Sequence, residues 1–164
     1  MISFDPKPST AVDILSCRPG AFLLKLPARH GTAAVRWLLA GDAEEEGALH
    51  VVFLTGEYRF GASPLMGNSA MVLVAWDGPV LVELDEEQDA RDNPQAGNLL
   101  IADDGIYMVV NCKGNFGFQD PGYLSLSDFM LRSKPPEIQG IFEKWKLRTA
   151  PKDNLPSMPL ITCP

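Results

Sequence analysis

An α+β domain, an antiparallel sheet with helices on it, is the fold class this sequence predicts, on three observations. The chain has 164 residues, 46% of them hydrophobic and 21% charged, which is one ordinary domain with material for a core. That composition excludes a disordered chain, a coiled coil and a disulfide-held miniprotein. Between Leu49 and Cys112, short apolar segments alternate with turn residues, as the strands of an antiparallel sheet do. Pro136 is followed by Ile138, Ile141, Phe142 and Trp145 at spacings of three, four and seven, the apolar stripe of an amphipathic helix.

The sheet is predicted to be a meander of at least five strands: Leu49 to Thr55, Ala70 to Trp76, Val80 to Leu84, Asn98 to Ala102 and Ile106 to Cys112. Asp77-Gly78-Pro79 and Asp103-Asp104-Gly105 supply turn chemistry that tolerates positive φ, so each is read as a tight hairpin. A C-terminal helix over 136–148 carries Lys144, Lys146 and Arg148 near its end, and a shorter N-terminal helix over 32–40 stops at Gly41. Thr10 to Cys17 reads as either strand or short helix, and Ala21 to Leu26 as a further strand. Residues 1–150 form the domain. The tail, 151–164, has prolines at 151, 156, 159 and 164 and is expected to be extended.

Net charge is −7, which disfavours a nucleic-acid partner because phosphate binding rests on Lys and Arg. The charge is unevenly placed: residues 37–106 carry fourteen acids and two bases, whereas 129–152 carry six bases and two acids. No apolar run approaches the ~20 residues of a membrane helix, so no membrane association is expected. The N-terminus lacks the basic and apolar regions of a secretory signal. Cys17, Cys112 and Cys163 are odd in number and widely spaced, which fits a reducing compartment and a cytoplasmic protein.

In an up-and-down meander, successive connections alternate between the ends of the sheet. The two tight turns then fall at one end, and the long connections 56–69, 85–97 and 113–122 at the other. Long loops on a rigid sheet are where binding residues concentrate. The first loop offers Tyr58, Arg59 and Phe60, the second Asp85, Glu87 and Asp89, and the third Asn115, Phe116, Phe118 and Asp120. Aromatic residues and Arg make interface anchors because each covers a large area for little rotamer entropy. The competing reading has the phenylalanines fold back as local core.

Enzyme motifs fail. Residues 85–96 depart from a calcium loop, with Ala90 and Ala96 in place of its glycine and glutamate. Gly67-Asn68-Ser69-Ala70-Met71 lacks the closing glycine of a serine-hydrolase elbow, and no dinucleotide fingerprint occurs. With two histidines, a His-rich zinc site is not expected, and no cofactor or metal is called for.

The function expected is therefore a non-catalytic protein-interaction module, an acidic adaptor, inhibitor or chaperone-like protein. It would bind a protein partner, or itself, through the long-loop end. The alternatives are a small carboxylate- or metal-dependent hydrolase using the same end, and a structural subunit of a homo-oligomer.

Overall fold

The computed structural model describes residues 5–12, 14–25, 35–44, 47–65, 73–78, 80–85, 87–88, 93–112, 120–149 and 159–163. Among these the protein is nearly all sheet, and its one helical element is the 3-10 turn Ile14–Ser16. The strands are β1 (Asp5–Val12), β2 (Phe22–Lys25), β3 (Val35–Asp42), β4 (Leu49–Phe53), β5 (Ala62–Pro64), β6 (Leu73–Gly78), β7 (Val80–Leu84) and β8 (Glu87–Gln88), then β9 (Leu99–Ala102), β10 (Gly105–Val110), β11 (Gly122–Ser125), β12 (Met130–Arg132), β13 (Ile138–Phe142), β14 (Trp145–Thr149) and β15 (Pro159–Cys163).

The α+β class is thus overturned. The expected helix over 136–148 is the two strands β13 and β14, and residues 35–40 of the expected N-terminal helix lie in β3. Residues 32–34 lie outside the described set. The misleading spacing has two physical sources. A register break between Ile138 and Gly140 against β9 is a bulge that puts Ile138 and Ile141, three apart, on one face. Then at Glu143 and Lys144, both exposed, the inward positions change from Phe142 to Trp145 and Leu147. A bulge and a corner together imitate a 3.6-residue period.

All five segments expected as strands between 49 and 112 contain strands, but they do not form a meander. The larger sheet runs β1-β6-β2-β3-β12-β11-β10-β9-β13-β8, with β4 on β3 and β5 on β4, and the smaller runs β15-β14-β7. Only the Asp103-Asp104-Gly105 turn closes a hairpin as expected, with Ala102 opposite Gly105. Asp77 and Gly78 instead belong to β6, paired with β1, and one residue later the chain enters the smaller sheet as β7. Pro79 lies outside the described residues. Without a meander the connections do not alternate between two ends: β5 adds a strand within 56–69, and β7 lies in a second sheet. Five strands separate β6 from β9, so Asp77 and Asp103 are not neighbours at one end.

One ladder joins the sheets. Val80 lies opposite Thr149 and Leu84 opposite Trp145 in the smaller sheet, and Glu87 opposite Phe142 and Gln88 opposite Ile141 in the larger, all in one register. At the corner Asp85 N donates to Lys144 O at 3.0 Å. Diagonal ion pairs, Lys146–Asp85 at 3.0 Å and Arg148–Glu83 at 3.1 Å, lie across β7 and β14. Elsewhere the larger sheet narrows to the parallel pair Met130–Gly41 and Leu131–Asp42 between β12 and β3.

The central core lies between the sheets: Phe22, Leu38, Val52, Leu99, Met108, Leu124, Leu131, Trp145, Leu147 and Ile161 are all buried in it. Two smaller clusters sit on outer faces. Leu23, Leu39 and Val51 pack under Ile14 and Cys17, which explains the 3-10 turn as a cover for β2, β3 and β4. Leu100, Tyr107, Val109, Tyr123 and Ile141 form the other.

Candidate functional site

The first loop folds into a tight structure in which adjacent residues face opposite ways. Phe60 N donates to Phe53 O at 2.6 Å, Gly61 N to Tyr58 O at 2.8 Å and Arg59 N to Gly56 O at 3.3 Å. Phe60 has φ of 60°, a left-handed conformation that costs a non-glycine residue about 1–2 kcal/mol. That cost is met by burial: Phe60 is 7% exposed and its ring centroid lies 5.8 Å from that of Trp145. The reading in which this phenylalanine folds back as core is the one the structure takes. Tyr58, by contrast, is 68% exposed, the only large hydrophobic side chain so exposed among the described residues. Its ring rests against Phe53 at 6.1 Å between centroids.

Arg59 lies between them. Its guanidinium carbon is 4.6 Å from the Phe60 ring centroid, a cation–π arrangement, and Nη2 donates to Thr162 O in β15 at 2.8 Å. Nε is buried with no hydrogen-bond partner among the described residues. Below, Trp145 is fully buried and its Nε1 donates to Gly97 O at 2.7 Å. Gly97 has φ of 98°, and a Cβ there would lie 2.4 Å from the Phe60 ring, so the ring needs this glycine. Gly97, next to β9 of the larger sheet, and Trp145 and Thr162, in β14 and β15 of the smaller, therefore anchor the turn through Phe60 and Arg59.

The described ends of the first and third loops meet. Asn111 N donates to Phe60 O and Ala62 N to Asn111 O, both at 2.8 Å. Asp120 closes the other end of the third loop by accepting a hydrogen bond from Cys112 N at 3.0 Å. Asp85 approaches from a different side: it pairs with Lys146, and Lys146 lies opposite Thr162. Glu87 is in β8. Asp89, Asn115, Phe116 and Phe118 lie outside the described residues.

Electrostatics add little chemistry. Burial pushes the Cys112 thiol up to about 11, against a hydrogen bond from the Gly122 backbone that lowers it, so this sulfur stays protonated. Burial likewise raises Cys163, although the Arg59 charge works in the opposite direction. The other polar cluster lies on the outer face: Tyr107 Oη donates to Asp104 at 2.6 Å, and Arg132 pairs with Asp128 at 2.6 Å. Among the described residues, no three of His, Cys, Asp and Glu converge as metal ligands. No described helix is long and apolar enough to cross a membrane.

Gly97, Trp145 and Thr162 are partners of this turn that the sequence does not signal. Trp145-Lys146-Leu147-Arg148 does alternate strictly, which signals a strand, but nothing local links it to residue 60. No protein-family model, curated protein or solved structure matches this chain.

Proposed function

We propose that this protein is a non-catalytic binding module that takes a protein partner at the Tyr58–Arg59 turn. One observation carries the reading: an aromatic ring held 68% exposed on a turn whose next-but-one residue is locked in the core. Such a side chain is preorganised, so a partner covering it gains the contact area of an anchor residue at little ordering cost. The carboxylates an enzyme reading would enlist are otherwise engaged where they are described: Asp85 is ion-paired, and Asp120 caps the Cys112 amide. The three cysteines are free of disulfides, in keeping with a cytoplasmic protein. The acidic balance would steer a basic partner surface and keep nucleic acid away. No cofactor enters this reading.

The test is comparative capture. Wild-type protein and Tyr58→Ala, matched for thermal midpoint, are used as bait in extract from the source organism, and retained proteins are identified by mass. Specific proteins retained by wild type and lost with Tyr58→Ala support the reading. Identical retention by both overturns it.

A further inference from the structure

We propose that Arg59 is an edge guard, whose side chain keeps strand β15 from pairing with the β15 of a second copy of this chain. Among the described strands β15 pairs only with β14, and its other side is met by the Arg59 side chain at Thr162 O. Antiparallel ladders alternate between hydrogen-bonded and non-bonded pairs. Since Asp85 N bonds Lys144 O, the peptide groups of Lys146 and Arg148 face β7, and those of Trp145 and Leu147 face β15. Their partners, Cys163 and Ile161, face back. Thr162, opposite Lys146, must therefore turn its N–H and C=O outward, and the bond from Arg59 Nη2 to Thr162 O places that carbonyl on the open side.

Three of the other four terminal strands carry their own protection: β1 contains Pro6 and Pro8 and two register breaks, β5 ends in Pro64 and has Ala62 N taken by Asn111, and β8 is two residues long, whereas β7 is the opposite edge of the smaller sheet. β15 has a proline only at its first residue, and Thr162 is exposed. An identical strand is the natural complement. Two antiparallel copies related by a twofold axis, with Thr162 opposite Thr162, would exchange both outward N–H···O bonds. Arg59 opposes this in three ways: it occupies the acceptor, its side chain stands on the edge, and two guanidiniums would meet across the axis. This inference rests on the β15 edge and is independent of what Tyr58 binds.

The experiment measures solution mass by light scattering over a concentration series, with circular dichroism and thermal midpoint as controls for folding. Arg59→Met keeps a long unbranched side chain and removes donor and charge; Arg59→Gln, shorter and also neutral, is scored the same way. Thr162→Pro removes the outward N–H and leaves the inward-facing peptide groups of Ile161 and Cys163 free to pair with β14. The expected result is a monomeric wild type, a doubling of mass with increasing concentration for either Arg59 variant, and return to monomer when Thr162→Pro is added. Folded Arg59 variants that stay monomeric, a dimer that persists with Thr162→Pro, or a wild type that dimerises equally would each overturn the proposal.

Discussion

Replacing Gly97 by alanine tests the packing that holds the candidate site together. Two costs add at this position. The first is backbone: φ of 98° lies outside the ranges that L residues favour, a penalty of about 1–2 kcal/mol. The second is steric, because the new methyl would sit 2.4 Å from Cδ2 and Cε2 of Phe60. That ring has little room to retreat, with Trp145 on one side and the Arg59 guanidinium 4.6 Å from its centroid. Overpacking a core site of this kind costs about 1–3 kcal/mol. The sum, about 2–5 kcal/mol, is readable by urea denaturation with the transition slope held as a check on two-state behaviour. The two costs separate in a Phe60→Ala background, where the steric part disappears and Gly97→Ala is expected to cost only the backbone share. A Gly97→Ala protein within about 0.5 kcal/mol of wild type, or a cost unchanged by Phe60→Ala, would refute the packing account.

Two further predictions come from neighbouring residues. Trp145→Phe keeps most of the ring but leaves the Gly97 carbonyl without its indole donor, for an expected loss of about 1–3 kcal/mol; Trp145→Ala is expected to lose about 3–5 kcal/mol and Phe142→Ala less, since Phe142 is only half-buried. Urea midpoints rank the three, and an equal loss for Phe142→Ala and Trp145→Ala would contradict the corner between β13 and β14. Cys112, with its thiol pushed up to about 11 from an ordinary value of 9.0, is expected to resist iodoacetamide at pH 8 until urea unfolds the chain. Because the folded value is the higher one, the unfolded chain deprotonates first, so the stabilisation is intact below pH 9 and is lost as pH rises toward 11. A Cys112→Ala protein is expected to show a weaker decline in stability across that window, and an identical decline would contradict the assignment.

What the sequence made legible, and what it did not, divides along physical lines. Strands such as Leu49–Phe53 and Val80–Leu84 could be read because each is a short apolar segment bounded by turn residues. The Asp103-Asp104-Gly105 hairpin could be read because its turn chemistry is local. Pairing could not: β6 has β1 and β2 as neighbours and β7 has β14, choices set by contacts far along the chain. Around 138–145 the local signal was misleading, since the apolar spacing fits a helix and only Gly140 and the alternation after Trp145 argue for strands. At the candidate site, Tyr58, Arg59 and Phe60 were legible as a group, but their division into one exposed ring, one tethered cation and one buried ring follows from Gly97, Trp145 and Thr162.

The ladder from Val80 to Gln88 against Ile141 to Thr149 has a kinetic meaning. Its partners are more than fifty positions apart, so closing it costs loop entropy that is reduced only as the local pairings from β9 to β12 form in the intervening chain. Because the same register passes through both sheets, a slip of one residue would have to occur in both at once. It would turn Trp145 away from the central core in one sheet and Ile141 away from its outer-face cluster in the other. Amide protons on the two sides of the corner, Lys146 in one sheet and Phe142 in the other, are therefore expected to exchange with solvent in a single opening event rather than sheet by sheet.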